Sequence, residues 1–306
     1  MIRWLLPIAL LPVPLLLNPY QQYVLNTALL YVPVGIGFNL VVGNLGLLAF
    51  SNVAYFGLGA YTSGILMAQL GVPWWLTVVP AGVVGGIAGA IASIPALRGV
   101  RLFYLAIMTL AFGELMRWTY IRWEALTGGS MGMAVPISPL LATDKSRFYA
   151  FLALVTLVVF VTDKLLRSRF GRAFLAIKDN EVAAAAMGIP TDRYIVLAFA
   201  WGGVLVGIGG SMFAISVGHL TPSSFDLTEL VRQFAMIMVG GLGSLTGAII
   251  GAVVITLAPQ VFISFPGFDE LVFGVLIVLV ILFLPRGLAS LLARSSSVFV
   301  ERYYRE

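Results

Sequence analysis

The sequence predicts an all-α integral membrane protein: one domain over residues 1–306, folded as a polytopic bundle of about ten (roughly eight to ten) transmembrane helices. Three observations carry that prediction. Of the residues, 60% are hydrophobic and 10% charged, with a mean hydropathy of +1.02, whereas a soluble domain carries roughly 25% charged residues. Apolar runs of about 20 residues, enough to cross a ~30 Å hydrocarbon core, recur from end to end. Lipid offers no partner for a backbone amide, so these runs must be helices and not open strands.

In order, the spans fall at 3–17, 24–42, 50–70, 74–96, 102–122, 148–164, 194–217, 229–241, 246–263 and 269–285. The first has a single Arg and an apolar run. It lacks a small-x-small cleavage site and contains Pro7, Pro12 and Pro14, so it is expected to be a distorted span and not a cleaved leader. The second runs into the glycine string VVGNLGLLA at 41–49. The third carries Gly57 and Gly59, the fourth Gly82, Gly85, Gly86 and Gly89, the seventh Gly202, Gly203, Gly207, Gly209 and Gly210. Small residues let backbones approach closely in lipid, where no hydrophobic effect drives association. The eighth span is short and reads as a broken or re-entrant helix. It leads into MVGGLGSLT at 238–246, which matches 41–49 at Val42/Val239, Gly43/Gly240, Leu45/Leu242, Gly46/Gly243 and Leu48/Leu245. Internal repeats with interrupted helices are common in transport proteins, although small apolar residues also recur by chance.

Charge sets the orientation. With the N-terminus inside, the cytoplasmic side receives 13 of the 18 basic residues and 6 of the 13 acids, leaving +7 inside and −2 outside or near the other face, which sum to the net +5. The reverse orientation inverts the positive-inside bias, so both termini are expected in the cytoplasm of a bacterial or archaeal inner membrane. The same distribution explains a pI near 9.6 without nucleic acid. The basic residues concentrate in one polar interruption, 166–193, with Arg167, Arg169, Arg172 and Lys178 at its start. An alanine-rich helix from about Asp179 to Met187 follows, with a stop at Gly188-Ile189-Pro190.

Several chemistries are missing. The chain has no G-x-x-x-x-G-K-[ST] string, one histidine (His219) and no cysteine, which argues against an own ATPase, a histidine metal cluster and thiolate chemistry. Glu114 is read as the one carboxylate well inside a span. There it must face protein or water, as a path or gating residue or as the partner of Arg117 three residues on. The other polar candidates within spans are neutral: Asn39, Asn44, Ser51, Asn52, Tyr55, Tyr61, Thr62, Thr109 and Gln233. Neutral groups suit a route for a polar or zwitterionic solute; equally, Asn44 and Asn52 can simply satisfy a broken helix. The loops LTGGSMGM (126–133) and GHLTPSSFD (218–226) read either as ordinary turns or as a rim for an external partner.

Segment 171–188, GRAFLAIKDNEVAAAAMG, resembles the cytoplasmic coupling loop of ABC importer permeases, in particular the LivM-type subunits of branched-chain amino acid transporters. The strings VVGNLGLLAFSNVAYFGLGAY, TLAFGELMR, LTGGSMG and LTPSSFDLTELVRQFAMIMVGGLGSLTGAIIGA resemble that family in the same order, over roughly 30 to 290. The chain departs from the commonest pattern in its short part before the second span and in Gln233 beside Arg232. The resemblance implies the ABC importer permease fold and a complex with a sister permease, two cytoplasmic ATP-binding subunits and an extracytoplasmic solute-binding protein. ATP and Mg would be used by those partners, with no cofactor on this chain. It also implies ATPase-coupling roles for Gly171, Arg172, Asp179, Glu181, Ala184 and Gly188. Outside that class, a stand-alone channel or secondary carrier remains the rival, which has little reason to keep 166–193.

Overall fold

The computed structural model describes residues 12–100, 102–137, 139–261, Gly274 and 287–290. Its described part is a bundle of helices: α1 (Pro19–Asn39), α2 (Asn52–Leu70), α3 (Trp74–Ala92), α4 (Leu102–Arg122), α5 (Asp144–Arg167), α6 (Arg169–Asp179), α7 (Glu181–Ala186), α8 (Thr191–Val217), α9 (Leu227–Gly240) and α10 (Leu245–Val261). The expected spans between 24 and 261 each have their helix. The first and last, 3–17 and 269–285, lie outside the described residues apart from a turn at Val13–Leu16 and Gly274, as do the final two residues of 246–263. Among the described residues, four helices are long and apolar enough to cross a membrane: Pro19–Asn44, Trp74–Leu97, Asp144–Arg167 and Thr191–Val217. The others are shorter or more polar; α4 alone carries Glu114, Arg117 and Arg122.

Local chemistry sets the boundaries. Pro19 opens α1 at a position where its missing N–H costs nothing, and Gln21 Oε1 accepts from Asn18 N at 3.1 Å. At its other end α1 widens into a π-helical turn, Leu40–Asn44, so its axis is interrupted within the first glycine string. Span 74–96 breaks at Ser93, and Pro95 opens a separate turn, Ile94–Leu97. Side chains that accept from backbone N–H groups start the polar-ended helices: Thr143 for α5, Ser168 for α6 and Asp226 for α9.

The bundle is organised around α8. Its glycines meet backbone on three sides: Gly203 and Gly207 lie against Gly85 and Ala81 of α3, Gly207 and Gly210 against Gly59 and Phe56 of α2, and Gly202 against Gly37 of α1. The sequence reading of close packing is thus met helix by helix. Polar stitches secure the same contacts. Ser63 of α2 bonds both Thr77 of α3 and Ser211 of α8, and Trp74 Nε1 donates to Ser211 O at 3.0 Å.

The two ends differ. At one, here the basic end, the segments 43–46, 94–97, 168–190 and 241–244 gather. At the far end the two loops picked out in the sequence pair as a short antiparallel ribbon, β1 (Met133–Ala134) with β2 (His219–Leu220), in register Met133–Leu220 and Ala134–His219. Gly128, Gly129 and Gly132 all hold positive φ there, at 75°, 62° and 75°, which explains the glycines of LTGGSMG. Phe225 lies beneath, among Phe56, Tyr61, Tyr120 and Phe213.

A backbone-to-backbone contact has no room for a side chain. Gly207→Leu is expected to cost about 1–3 kcal/mol of bundle stability, because its Cβ would overlap the Ala81 carbonyl. Gly82→Ala on the facing helix is expected to remain near wild type, since its new methyl meets Val204 and Ile208 side-chain atoms at 3.4 Å. Thermal unfolding in detergent distinguishes the two; equal loss in both would contradict the account.

Candidate functional site

The polar interruption 166–193 is two helices and not one. The alanine-rich helix expected from about Asp179 to Met187 begins at Glu181, and residues 169–179 form a separate amphipathic helix before it. The cause is Asn180: its backbone is extended (φ −161°, ψ 107°), and its Oδ1 accepts from Ala183 N at 2.9 Å, capping α7. Gly171, Ala173, Phe174 and Ile177 turn α6 inwards, with Phe174 edge-on to Tyr194 of α8. Gly171 faces the Leu166 carbonyl so closely that a Cβ has no space. Arg172 and Asp179 face outward.

On α7 only Ala184 is buried. Val182 and Met187 stand 80% and 83% exposed at its surface. Gly188 terminates the helix at φ +83°, with Gly188 N bonded to Ala185 O and Ile189 N to Ala184 O, the paired pattern of a Schellman cap. Glu181 occupies the first turn, where the helix dipole favours an acid.

Beside these helices the two glycine strings face each other. Asn39 donates to Ser244 O and accepts from Gly243 N, both at 2.9 Å, and Asn44 Nδ2 donates to Gly243 O at 3.0 Å. The matched residues Gly46 and Gly243 share the same φ, +79°. Each string also follows one helix and opens the next. A cavity of about 320 Å³ adjoins this seam, between Asn44, Gly243 and Leu245 on one side and Asp163, Arg167 and Gly171 on the other.

A second polar group lies deeper, between α1, α2 and α9. Asn52 Nδ2 donates to Gln233 Oε1 at 2.6 Å, Gln233 Nε2 donates to Glu229 Oε1 at 2.9 Å, and Tyr31 OH donates to Glu229 Oε2 at 3.2 Å. Arg232 stands 3.6 Å from the same carboxylate. Glu229 is the one buried charged residue among the described ones, at 8% exposure. Sequence reasoning named Asn52 and Gln233 but passed over Glu229 and Tyr31. The available signal was the i, i+4 spacing of Glu229 and Gln233, which sets both on one helix face.

The remaining candidates are placed elsewhere. Ser51 Oγ and Tyr55 OH bond each other at 2.6 Å, and Thr109 Oγ1 accepts from Phe50 N at 2.7 Å, tying the first glycine loop to α4. Glu114 does not join either polar group. It pairs with Arg117 at 2.8 Å, with the side chains 44% and 36% exposed, so the carboxylate held within the core is Glu229 and not Glu114.

An apolar helical bundle with a polar seam at one end, and a capped, exposed helix pair beside that seam, defines the class: a polytopic helical membrane protein. A family model described as "Branched-chain amino acid transport system / permease component" matches residues 21–284, and the chain belongs to that family. It is 30% identical over 303 residues to the high-affinity branched-chain amino acid transport system permease protein LivM of Salmonella typhimurium, covering 90% of this chain and 71% of that one. It is 26% identical to the LivH permease protein of Escherichia coli K12, over 84% of this chain and 90% of that one. The autoinducer 2 import system permease protein LsrC of an Enterobacter species is 28% identical over 60% of this chain and 54% of its own length. No solved structure matches.

Removing the Glu229 carboxylate strands the Gln233 amide and the Tyr31 hydroxyl. Glu229→Ala is expected to cost about 1–3 kcal/mol for the unsatisfied partners, with Glu229→Gln recovering part because one acceptor oxygen remains. Glu114→Gln, at a half-exposed pair, is expected to leave folded yield close to wild type. Chemical or thermal unfolding of the three variants ranks them; a larger loss at Glu114 would refute the assignment.

Proposed function

We propose that this chain is the permease subunit of an ATP-driven importer that moves a small polar or zwitterionic solute inward by alternating access. The single observation that carries the proposal is the α6–α7 segment. It is capped at both ends, seated on the bundle through Phe174, Ile177 and Ala184, and presents Val182 and Met187 outward. An amphipathic helix of that kind can lie in a groove of a soluble partner and convert the partner's closure into movement of the attached helices. Gly171, Arg172, Asp179, Glu181, Ala184 and Gly188 are the proposed coupling residues, and ATP and Mg belong to the partner that drives them.

The proposed assembly contains this chain, a sister permease, two cytoplasmic ATP-binding subunits and an extracytoplasmic solute-binding protein, with ten spans and both termini in the cytoplasm of an inner membrane. The solute proposed first is a branched-chain or other apolar amino acid, the cargo named for the LivM and LivH relatives. The LsrC relative, named for autoinducer 2, supports keeping other small solutes, urea and short amides among them, as the second choice. Asn39, Asn44, Asn52 and Gln233 are proposed to line or gate the path. A channel or ion-driven carrier fits less well, because neither needs a docking helix at its cytoplasmic face.

Glu181→Arg sets a cation at the positive end of α7, and Gly188→Trp forces a bulky residue into a positive-φ cap. Both variants are expected to insert normally while substrate-stimulated ATP hydrolysis no longer drives uptake in vesicles holding the whole complex. Normal uptake in both would remove the coupling role. Vectorial flux by the chain alone, with no nucleotide-hydrolysing partner, would remove the importer reading altogether.

A further inference from the structure

Resting on the coupling role proposed above, we infer that Lys178 is the pin through which motion of the exposed helix pair reaches the seam between the two glycine strings. Lys178 lies in the last turn of α6, two residues before the Asn180 cap of α7. Its backbone therefore moves with whatever moves α7. Its side chain leaves the helix and donates from Nζ to the carbonyl of Gly43 at 2.8 Å, across 135 positions of sequence.

The surroundings of that bond are specific. The lysine stem lies on Gly46, where a Cβ would come within 2.8 Å of Lys178 Cγ, and Gly46 holds φ +79°. A side chain at 46 would lift the stem off the loop. On its other side Gly43 touches Gly243, whose N–H and C=O are held by Asn39 and Asn44. A Cβ on Gly243 would lie 3.6 Å from the same ammonium. One cation thus stands over the joint between both strings, and Gly243 of that joint also lines the cavity bounded by Asn44 and Gly171.

A basic residue on a cytoplasmic helix ordinarily serves anionic lipid headgroups. Lys178 is aimed instead at a main-chain oxygen of a buried glycine. The π-helical turn that contains Gly43 is a local departure from the α-helix, a place where helices change register at functional sites. An ammonium on a four-carbon stem is a point charge able to follow such a shift, and its bond to a carbonyl is of the stronger, charge-assisted kind. Lys178 is a positioning residue on this account: it contacts the gate, not the solute.

The test uses the complete complex in vesicles. Lys178→Met keeps the stem on Gly46 and removes the donor. Solute moved per ATP hydrolysed is expected to fall about tenfold, the factor that one such bond commands, while substrate-stimulated hydrolysis continues. Lys178→Arg keeps a donor and is expected to restore most of the coupling. Because the chain contains no cysteine, Val42→Cys with Leu242→Cys allows one spin label on each string. Their separation should respond to nucleotide in the parent and no longer respond with Lys178→Met. If Lys178→Met fails to assemble, Lys178→Gln, too short to reach Gly43, is expected to give the same loss.

Full coupling and a nucleotide-responsive seam without the lysine donor would overturn the inference, as would failure of a well-assembled Lys178→Arg to recover. Glu181→Arg separates the two ideas. If it uncouples while Lys178→Met does not, the pin is wrong and the docking helix stands. If neither uncouples, the coupling role of the whole segment falls.

Discussion

Everything in this bundle depends on how closely α8 approaches its neighbours. In lipid the tails are as apolar as leucine, so helices gain little from merely hiding side chains from one another; dispersion at short range and interhelical hydrogen bonds must hold them. Gly202, Gly203, Gly207 and Gly210 bring the α8 backbone against α1, α2 and α3. Ser63, Thr77, Trp74 and Ser211 then bond across the same contacts. Because α1 and α2 are fixed by this packing, the loop joining them, 45–51, is fixed as well, and with it one half of the seam.

Two polar layers stand on that frame. Asn39 and Asn44 satisfy the main chain of the opposite string, where interrupted helices leave N–H and C=O groups without internal partners. Asn52, Gln233, Glu229 and Tyr31 form a chain of bonds joining three helices. A buried network of this kind is stable when fully paired and costly when half paired, so it fixes how the three helices meet. The basic end adds the exposed helices α6 and α7, and the far end, with its short ribbon and the Phe225 cluster, is built differently.

Much of this was legible in the residues. Apolar run length placed the helices between 24 and 261 to within a few positions. The two similar glycine strings, which the sequence left open as a repeat or a coincidence, turn out to bond each other. The stop expected at Gly188 is there, as a left-handed cap at φ +83°. The errors also have causes. The helix expected from about Asp179 begins instead at Glu181 because Asn180 caps it, and the residues before it close into a helix of their own. Glu114 drew attention because it lies mid-span, whereas Glu229, at the first position of the expected span 229–241, was passed over. Depth along one helix does not reveal which face a neighbour covers.

The sequence by itself determined the class of solvent, the helical runs and the stop at Gly188, because each follows from composition or from residues a few positions apart. Only the tertiary structure decided which polar groups meet. Glu229 with Tyr31, Asn39 with Gly243 and Lys178 with Gly43 are separated by 198, 204 and 135 positions. No local spacing rule reaches that far; helix crossing, set by glycine contacts around α8, brings them together.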